Sequence, residues 1–199
     1  MAHPQPSSSE LLTRAASFAP ASFDPEARTV RAIWSTGAAV QRNDFEGPYD
    51  EVLSMDPSDV DLSELNGAPV LNSHDRFDLN SILGVVENPT IADGRGIATL
   101  RFSDRPAVAG LVNDIKNGIV NRVSVGYSVQ KWDTSKDAAG NRVRTARKWR
   151  PAEISLVGVG ADRNARTRSS EVIMEQQTLE TQIRASGTLL GVDPYLPLE

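Results

Sequence analysis

The sequence predicts a mainly β domain with flanking helices, built as a closed antiparallel barrel or a strongly curved sheet, and three observations carry that expectation. Over residues 121–132 (NRVSVGYSVQKW), Val123, Val125, Tyr127 and Val129 alternate with Ser124, Gly126 and Ser128, the period of a strand buried on one face. Short extended runs of this kind recur along the chain, divided by Gly, Pro, Asn and Asp turns that suit hairpin connections. Firm helical periodicity is confined to residues 105–117. Helices therefore pack outside a sheet rather than forming the core.

Taken in order, residues 1–28 contain PQPSSS and little apolar periodicity, and read as a flexible leader with a short helix around residues 11–17. Residues 29–40 form the first strand, with Val30, Ala32 and Trp34 alternating against Arg31, Ile33 and Ser35. Turn chemistry at NDFEGPY (residues 43–49) separates it from an extended piece at 50–55. A polar or short helical segment, DPSDVDLSEL, follows. The short strand APVLN (68–72) then delivers Ser73-His74-Asp75 at its end. Residues 82–87 make another strand, which Asn88-Pro89 breaks, and residues 97–102 pair back across an Asp93-Gly94-Arg95-Gly96 turn.

Ser103 or Asp104 is positioned to cap the helix at 105–117, with Pro106 in its first turn and Gly118 at its end. Val108, Leu111, Val112 and Ile115 give it one apolar stripe. The helix feeds directly into the Ser124 strand. After an exposed loop at 133–141 the chain returns through an Arg-rich piece, Arg142 to Arg150, expected as the solvated rim of a hairpin. Trp132 and Trp149 flank that loop and are expected to pair across strands. The strand AEISLVGV (152–159) puts Ile154 and Leu156 on one face and Glu153, Ser155 and Val157 on the other. An amphipathic helix at about residues 170–184 and a Gly/Pro-punctuated tail complete the chain. The expected organisation is a leader at 1–28, one domain at 29–168, and a C-terminal helix and tail at 169–199.

Composition narrows the chemistry. The 199 residues are 39% hydrophobic and 24% charged, with a net charge of −5. That charge balance argues against a general nucleic-acid or membrane-surface binder. Cysteine is absent, which excludes disulfides, thiolate catalysis and thiolate-bound zinc. His3 and His74 are the two histidines, so a multi-histidine metal site within one chain is excluded and no cofactor is expected. No apolar run approaches the ~20 residues of a membrane-spanning helix. The N-terminus shows no secretory signal, and a cytoplasmic protein is expected.

Three polar residues form a coherent set. His74 is the one histidine of the folded part and any imidazole base there; alone, a surface-loop histidine is the plainer reading. Glu153 lies in an otherwise apolar strand, where a buried carboxylate needs a partner, and Arg122 or Arg150 across a hairpin would serve. Ser124 sits beside Gly126, which leaves room for a substrate backbone alongside it. A serine hydroxyl becomes a nucleophile when a base takes its proton, and a carboxylate on the second ring nitrogen holds the base in the required tautomer.

The segments LNSHD with His74, the helix–Gly118–SVGY run with Ser124, and AEISLVGVGADRNA with Glu153 resemble the tailed-bacteriophage prohead protease family. These serine proteases mature phage capsids, and their fold is similar to herpesvirus assemblin. The resemblance covers residues 29–166. It implies an antiparallel barrel of the assemblin and prohead-protease type, with His74 as base, Ser124 as nucleophile and Glu153 as orienting acid. The third member is a second histidine in the assemblins. Where phage relatives commonly show a Pro-Ala-Asn-like turn, this chain has Gly160-Ala161-Asp162-Arg163-Asn164. Arg163 falls where an arginine-containing loop supplies the oxyanion hole in assemblins, and an ordinary surface charge is the plainer alternative. The resemblance further implies cleavage of scaffold and major capsid protein segments, self-processing, homo-oligomers, and a location inside the assembling prohead in the host cytoplasm. The rival function is a non-catalytic capsid-assembly or scaffolding domain on the same fold. An ester hydrolase is disfavoured because no Gly-x-Ser-x-Gly elbow is present.

Overall fold

A computed structural model of the chain describes residues 12–18 and 22–158. The strands are β1 (Leu12–Phe18), β2 (Thr29–Ser35), β3 (Val40–Asp44), β4 (Gly47–Leu53), β5 (Pro69–Asn72), β6 (Ile82–Ala92), β7 (Arg95–Phe102), β8 (Arg122–Lys136) and β9 (Arg142–Leu156). A helix, α1 (Pro106–Lys116), separates β7 from β8, and a 3-10 turn, Leu79–Ser81, precedes β6. All strands belong to one sheet in the order β3-β4-β9-β5-β6-β7-β2-β1-β8. The sheet curls until β8, at the end of that order, also pairs with β9.

The alternation read in the sequence sets the inner face. Val30, Ala32 and Trp34 of β2, Val123, Val125 and Tyr127 of β8, and Ile154 and Leu156 of β9 are all buried. Trp149 is buried between Trp34 and Tyr127, with edge-to-face ring contacts at 6.0 and 5.7 Å, and its Nε1 donates to Ser54 O at 2.9 Å. Trp149 therefore pairs into the core rather than with Trp132, which instead lies against the Arg144 guanidinium, 4.8 Å from its ring. The α1 stripe is as expected, with Val108 and Ile115 buried and Leu111 and Val112 packed against the core.

Several expectations are corrected. Residues 12–18, expected within a leader carrying a short helix, form strand β1, which pairs antiparallel to both β2 and β8. The sheet is not wholly antiparallel, because β4 and β5 each run parallel to β9. Asn88-Pro89 does not end β6. Asn88 turns left-handed (φ 50°), the register slips between Glu87 and Thr90, and pairing with β7 resumes as a bulge. The β6–β7 hairpin itself turns at Asp93 and Gly94, both left-handed (φ 51° and 68°), as the sequence predicts. Neither Ser103 nor Asp104 caps α1. Arg105 occupies the N-cap with no side-chain bond, held extended (ψ 137°) by the proline that follows it, while Ser103 Oγ accepts from the Arg105 amide at 3.2 Å. The C-terminal segments, including the helix expected near residues 170–184, lie outside the described residues.

The Arg-rich return strand is internally paired rather than a free solvated rim. Arg142 bonds Asp44 and Glu46, Arg147 bonds Asp59 and Asp133, and Arg150 bonds Asp61 and Glu64. These pairs staple β9 to the β3–β4 turn and the 56–65 segment. The Ser54 hydroxyl and then Arg147 hold the Asp59 carboxyl below its usual range. The Ser63 hydroxyl and amide, then Arg150, push Asp61 down to about 2. A carboxyl depressed in the fold stabilises it above the unfolded value and loses that contribution as the pH falls through the folded one. Thermal stability measured by circular dichroism is expected to decline from about pH 4 towards pH 2, and Asp59→Asn with Asp61→Asn to flatten that decline.

Candidate active site

The site is assembled where β5, β8 and β9 meet. On β8, inward Val123 and Val125 force Ser124 to the opposite face, and Gly126 shares that face. On β9, the same alternation puts Glu153 and Ser155 opposite to Ile154 and Leu156. The antiparallel register sets Ser124 against Ser155 and Gly126 against Glu153. On the other side of β9, β5 pairs in parallel through Asn72↔Leu156, so the chain leaving β5 passes directly over this face.

That chain turns sharply. Ser73 and His74 are both left-handed (φ 53° and 63°), an arrangement that costs non-glycine residues roughly 1–2 kcal/mol each. Three main-chain amides tie it down: Ser73 N donates to Leu156 O at 2.9 Å, His74 N to Ser155 Oγ at 3.0 Å, and Asp75 N to Asn72 O at 3.0 Å. Asp75, although adjacent to the histidine, does not serve it. Its carboxylate accepts the Ser81 hydroxyl and then the Phe77 amide, which hold it below its usual pKa range and close the loop beyond.

The turn places the imidazole between the serine and the glutamate. His74 Nε2 lies 2.8 Å from Ser124 Oγ, and Nδ1 lies 2.6 Å from Glu153 Oε1. With its proton on Nδ1, the ring donates to Glu153 and accepts the Ser124 hydroxyl. Ser124 and Glu153 are buried, while 24% of the His74 side chain remains exposed, so the ring is reachable from solvent. Among the described residues no arginine pairs with Glu153: Arg150 is turned to Asp61 and Glu64. The second Glu153 oxygen accepts the Ser155 hydroxyl at 2.6 Å.

The structure brings together the three residues expected from the sequence, whereas Arg163 lies outside the described residues. Two contributors were not read from the sequence in these roles. Ser155 is the first, and its signal was the Glu153-x-Ser155 spacing, which puts both side chains on one strand face. Gly126 is the second, and its open face accommodates the acid rather than a substrate backbone. A Cβ at Gly126 would meet Glu153 Oε1 at 2.1 Å.

A cleft of ≈390 Å³ adjoins the site, lined by Leu83, Leu111, Ile119 and Leu156, with Ser73 and Arg122 at its polar side. Arg122 is two residues from Ser124 and Ser73 is next to His74, which brings the cleft near the site, although none of the three residues lines it. A larger cleft of ≈600 Å³ lies around Arg28, Ile82 and Arg105.

A serine, a histidine and a buried carboxylate in unbroken hydrogen-bond contact on a mainly β scaffold define the arrangement of a serine hydrolase. Residues 40–180 match the family described as caudovirus prohead serine protease, and the chain belongs to that family. It is also 34% identical over 114 residues to a protein named major capsid protein from Halomonas phage phiHAP-1. The match covers 56% of this chain and 19% of that relative, so the chain spans a minor part of the relative's length. No solved structure matches the chain.

Gly126→Ala is expected to destabilise the fold by about 1–3 kcal/mol in urea denaturation, since the acid it would displace is held by both His74 and Ser155. Gly110→Ala, in α1 with open space at its Cβ, is expected to stabilise by roughly 0.5–1 kcal/mol in the same experiment.

Proposed function

We propose that this chain is a serine endopeptidase that cleaves segments of capsid and scaffold proteins, and itself, within an assembling phage prohead. The observation that carries the reading is the continuous Ser124–His74–Glu153 contact, held on paired strands and supported by membership of the prohead protease family. His74 Nε2 takes the Ser124 proton as Oγ attacks the scissile carbonyl. Glu153 accepts from Nδ1 and stabilises the imidazolium that forms. The imidazolium then gives its proton to the leaving amine, and water, deprotonated by the same nitrogen, releases the acyl group. Arg163 and its neighbours are the proposed source of main-chain donors to the oxyanion.

The cleft lined by Leu83, Leu111 and Leu156 and by Asn72, Asn121 and Arg122, mixed apolar and polar, is the proposed seat for a substrate side chain. The curled sheet is read as the barrel of the assemblin and prohead-protease type, with residues 29–168 as the protease domain. Residues 169–199 are assigned to processing or to docking on scaffold or capsid protein. Likeness to part of a protein named major capsid protein supports a role tied to capsid assembly. The same likeness favours a second reading, a non-catalytic assembly domain.

Co-expression with the cognate scaffold and capsid proteins, followed by intact mass analysis, separates the two. Wild type is expected to trim these partners or itself, and Ser124→Ala to leave every chain full length, a loss of roughly four orders of magnitude or more in turnover. Identical full-length masses in both samples would favour the assembly domain, and identical trimming would assign the cleavage to another protease.

A further inference from the structure

We infer that Ser155 is a positioning residue of this site, an inference that rests on the Ser124–His74–Glu153 reading above. Its hydroxyl carries one proton and two acceptor lone pairs. The proton goes to Glu153 Oε2 at 2.6 Å, which leaves Oγ to accept the His74 amide at 3.0 Å. One side chain therefore holds both the main chain of the base and the carboxylate that orients it. Ser155 is fully buried, so solvent does not replace either bond.

Both bonds answer a specific structural need. His74 has a left-handed backbone that a non-glycine residue adopts at a cost, and of the three main-chain amides bonded in this turn that of His74 alone donates to a side chain. Glu153 has two oxygens and one imidazole to serve. Without a donor on Oε2 the carboxylate would rotate about its last torsion, which is broad for this side chain. With the donor in place, Oε1 stays aimed at Nδ1. Placement on the strand supplies the rigidity, because Ser155 stands opposite Ser124 in the β8–β9 register and beside Leu71 on β5. The hydroxyl is thus bound to the two partners of the nucleophile without touching the reacting atoms.

The full-length chain, its Ser155→Ala form and its Ser155→Thr form test this by proton NMR of ¹⁵N-histidine-labelled protein, with His3 assigned by its own substitution. Wild type is expected to show a low-field Nδ1–H resonance for His74 and an exchange-protected His74 amide. Ser155→Ala is expected to lose both while keeping the near-UV circular dichroism of Trp34, Trp149 and Tyr127. Ser155→Thr, which retains the hydroxyl, is expected to keep them. Turnover of a peptide cleaved by wild type is expected to fall about ten- to a hundredfold in Ser155→Ala, in kcat with KM unchanged, and to recover in Ser155→Thr.

A wild-type His74 amide that exchanges like an open loop overturns the inference, and this arm needs no variant to fold. So does a Ser155→Ala protein that retains the resonance and full kcat, or a Ser155→Thr protein that falls as far as Ser155→Ala while still folded. If wild type cleaves no peptide, the peptidase reading fails separately, and the resonance and amide arms still decide the role of Ser155.

Discussion

The site depends on the antiparallel register between β8 and β9. Setting Ser124 against Ser155 and Gly126 against Glu153 puts Ser124, Glu153 and the hydroxyl behind that carboxylate on one small patch of sheet. A slip by one residue would exchange the faces of a strand, sending Val123 and Val125 outward and Ser124 into the core. The inner face resists such a slip, since Val123, Val125, Tyr127, Ile154 and Leu156 are buried together. Roughly 1.5–3 kcal/mol is at stake for each aliphatic side chain so exposed. Hydrophobic packing on one face therefore holds the polar geometry on the other. The bulge after Gly126 absorbs the change in register, so the long distal halves of both strands can continue to the Arg142 end.

The remaining elements complete this patch. β5 runs parallel to β9 and ends where its chain must turn back over the serine, which is how the imidazole arrives between two residues far from it in sequence. β1 covers the free edge of β8, with Ala15 opposite Ser124 in register. Arg42 donates to the main-chain oxygen of Thr13, linking β1 to β3. On the inner side Tyr127 donates to the buried Glu51, which also pairs with Arg42, so this polar cluster and the aromatic cluster around Trp149 share Tyr127. Among the described residues no helix is long and apolar enough to cross a membrane.

Much of this was legible because it rests on local periodicity. The alternation in NRVSVGYSVQKW and AEISLVGV named the buried faces, and therefore named Ser124 and Glu153 as polar residues on paired outer faces. Scarcity helped too, since one histidine in the folded part left a single candidate base. What escaped was set by tertiary pairing. LTRAASF has too little apolar alternation to announce a strand, and becomes one because β2 and β8 both offer it an edge. The parallel pairings to β9 depend on crossovers that leave no local mark in APVLN or in the segment after NDFEGPY. The Arg-rich stretch looked like a solvated rim because its carboxylate partners, Asp44, Asp59 and Asp61, come from distant sequence. Asn88-Pro89 resembled a terminator, but beyond the stretch of β6 that pairs with β5 the strand can bulge, and it is a detour.

In the proposed function His74 and Glu153 make Ser124 a nucleophile. Treatment of the purified chain with a serine-directed fluorophosphonate, followed by peptide mapping, tests it most directly and requires no knowledge of the substrate. A single adduct on Ser124 that disappears in His74→Ala is the predicted result. An unmodified chain, or an adduct on another serine that survives the His74 substitution, would contradict it.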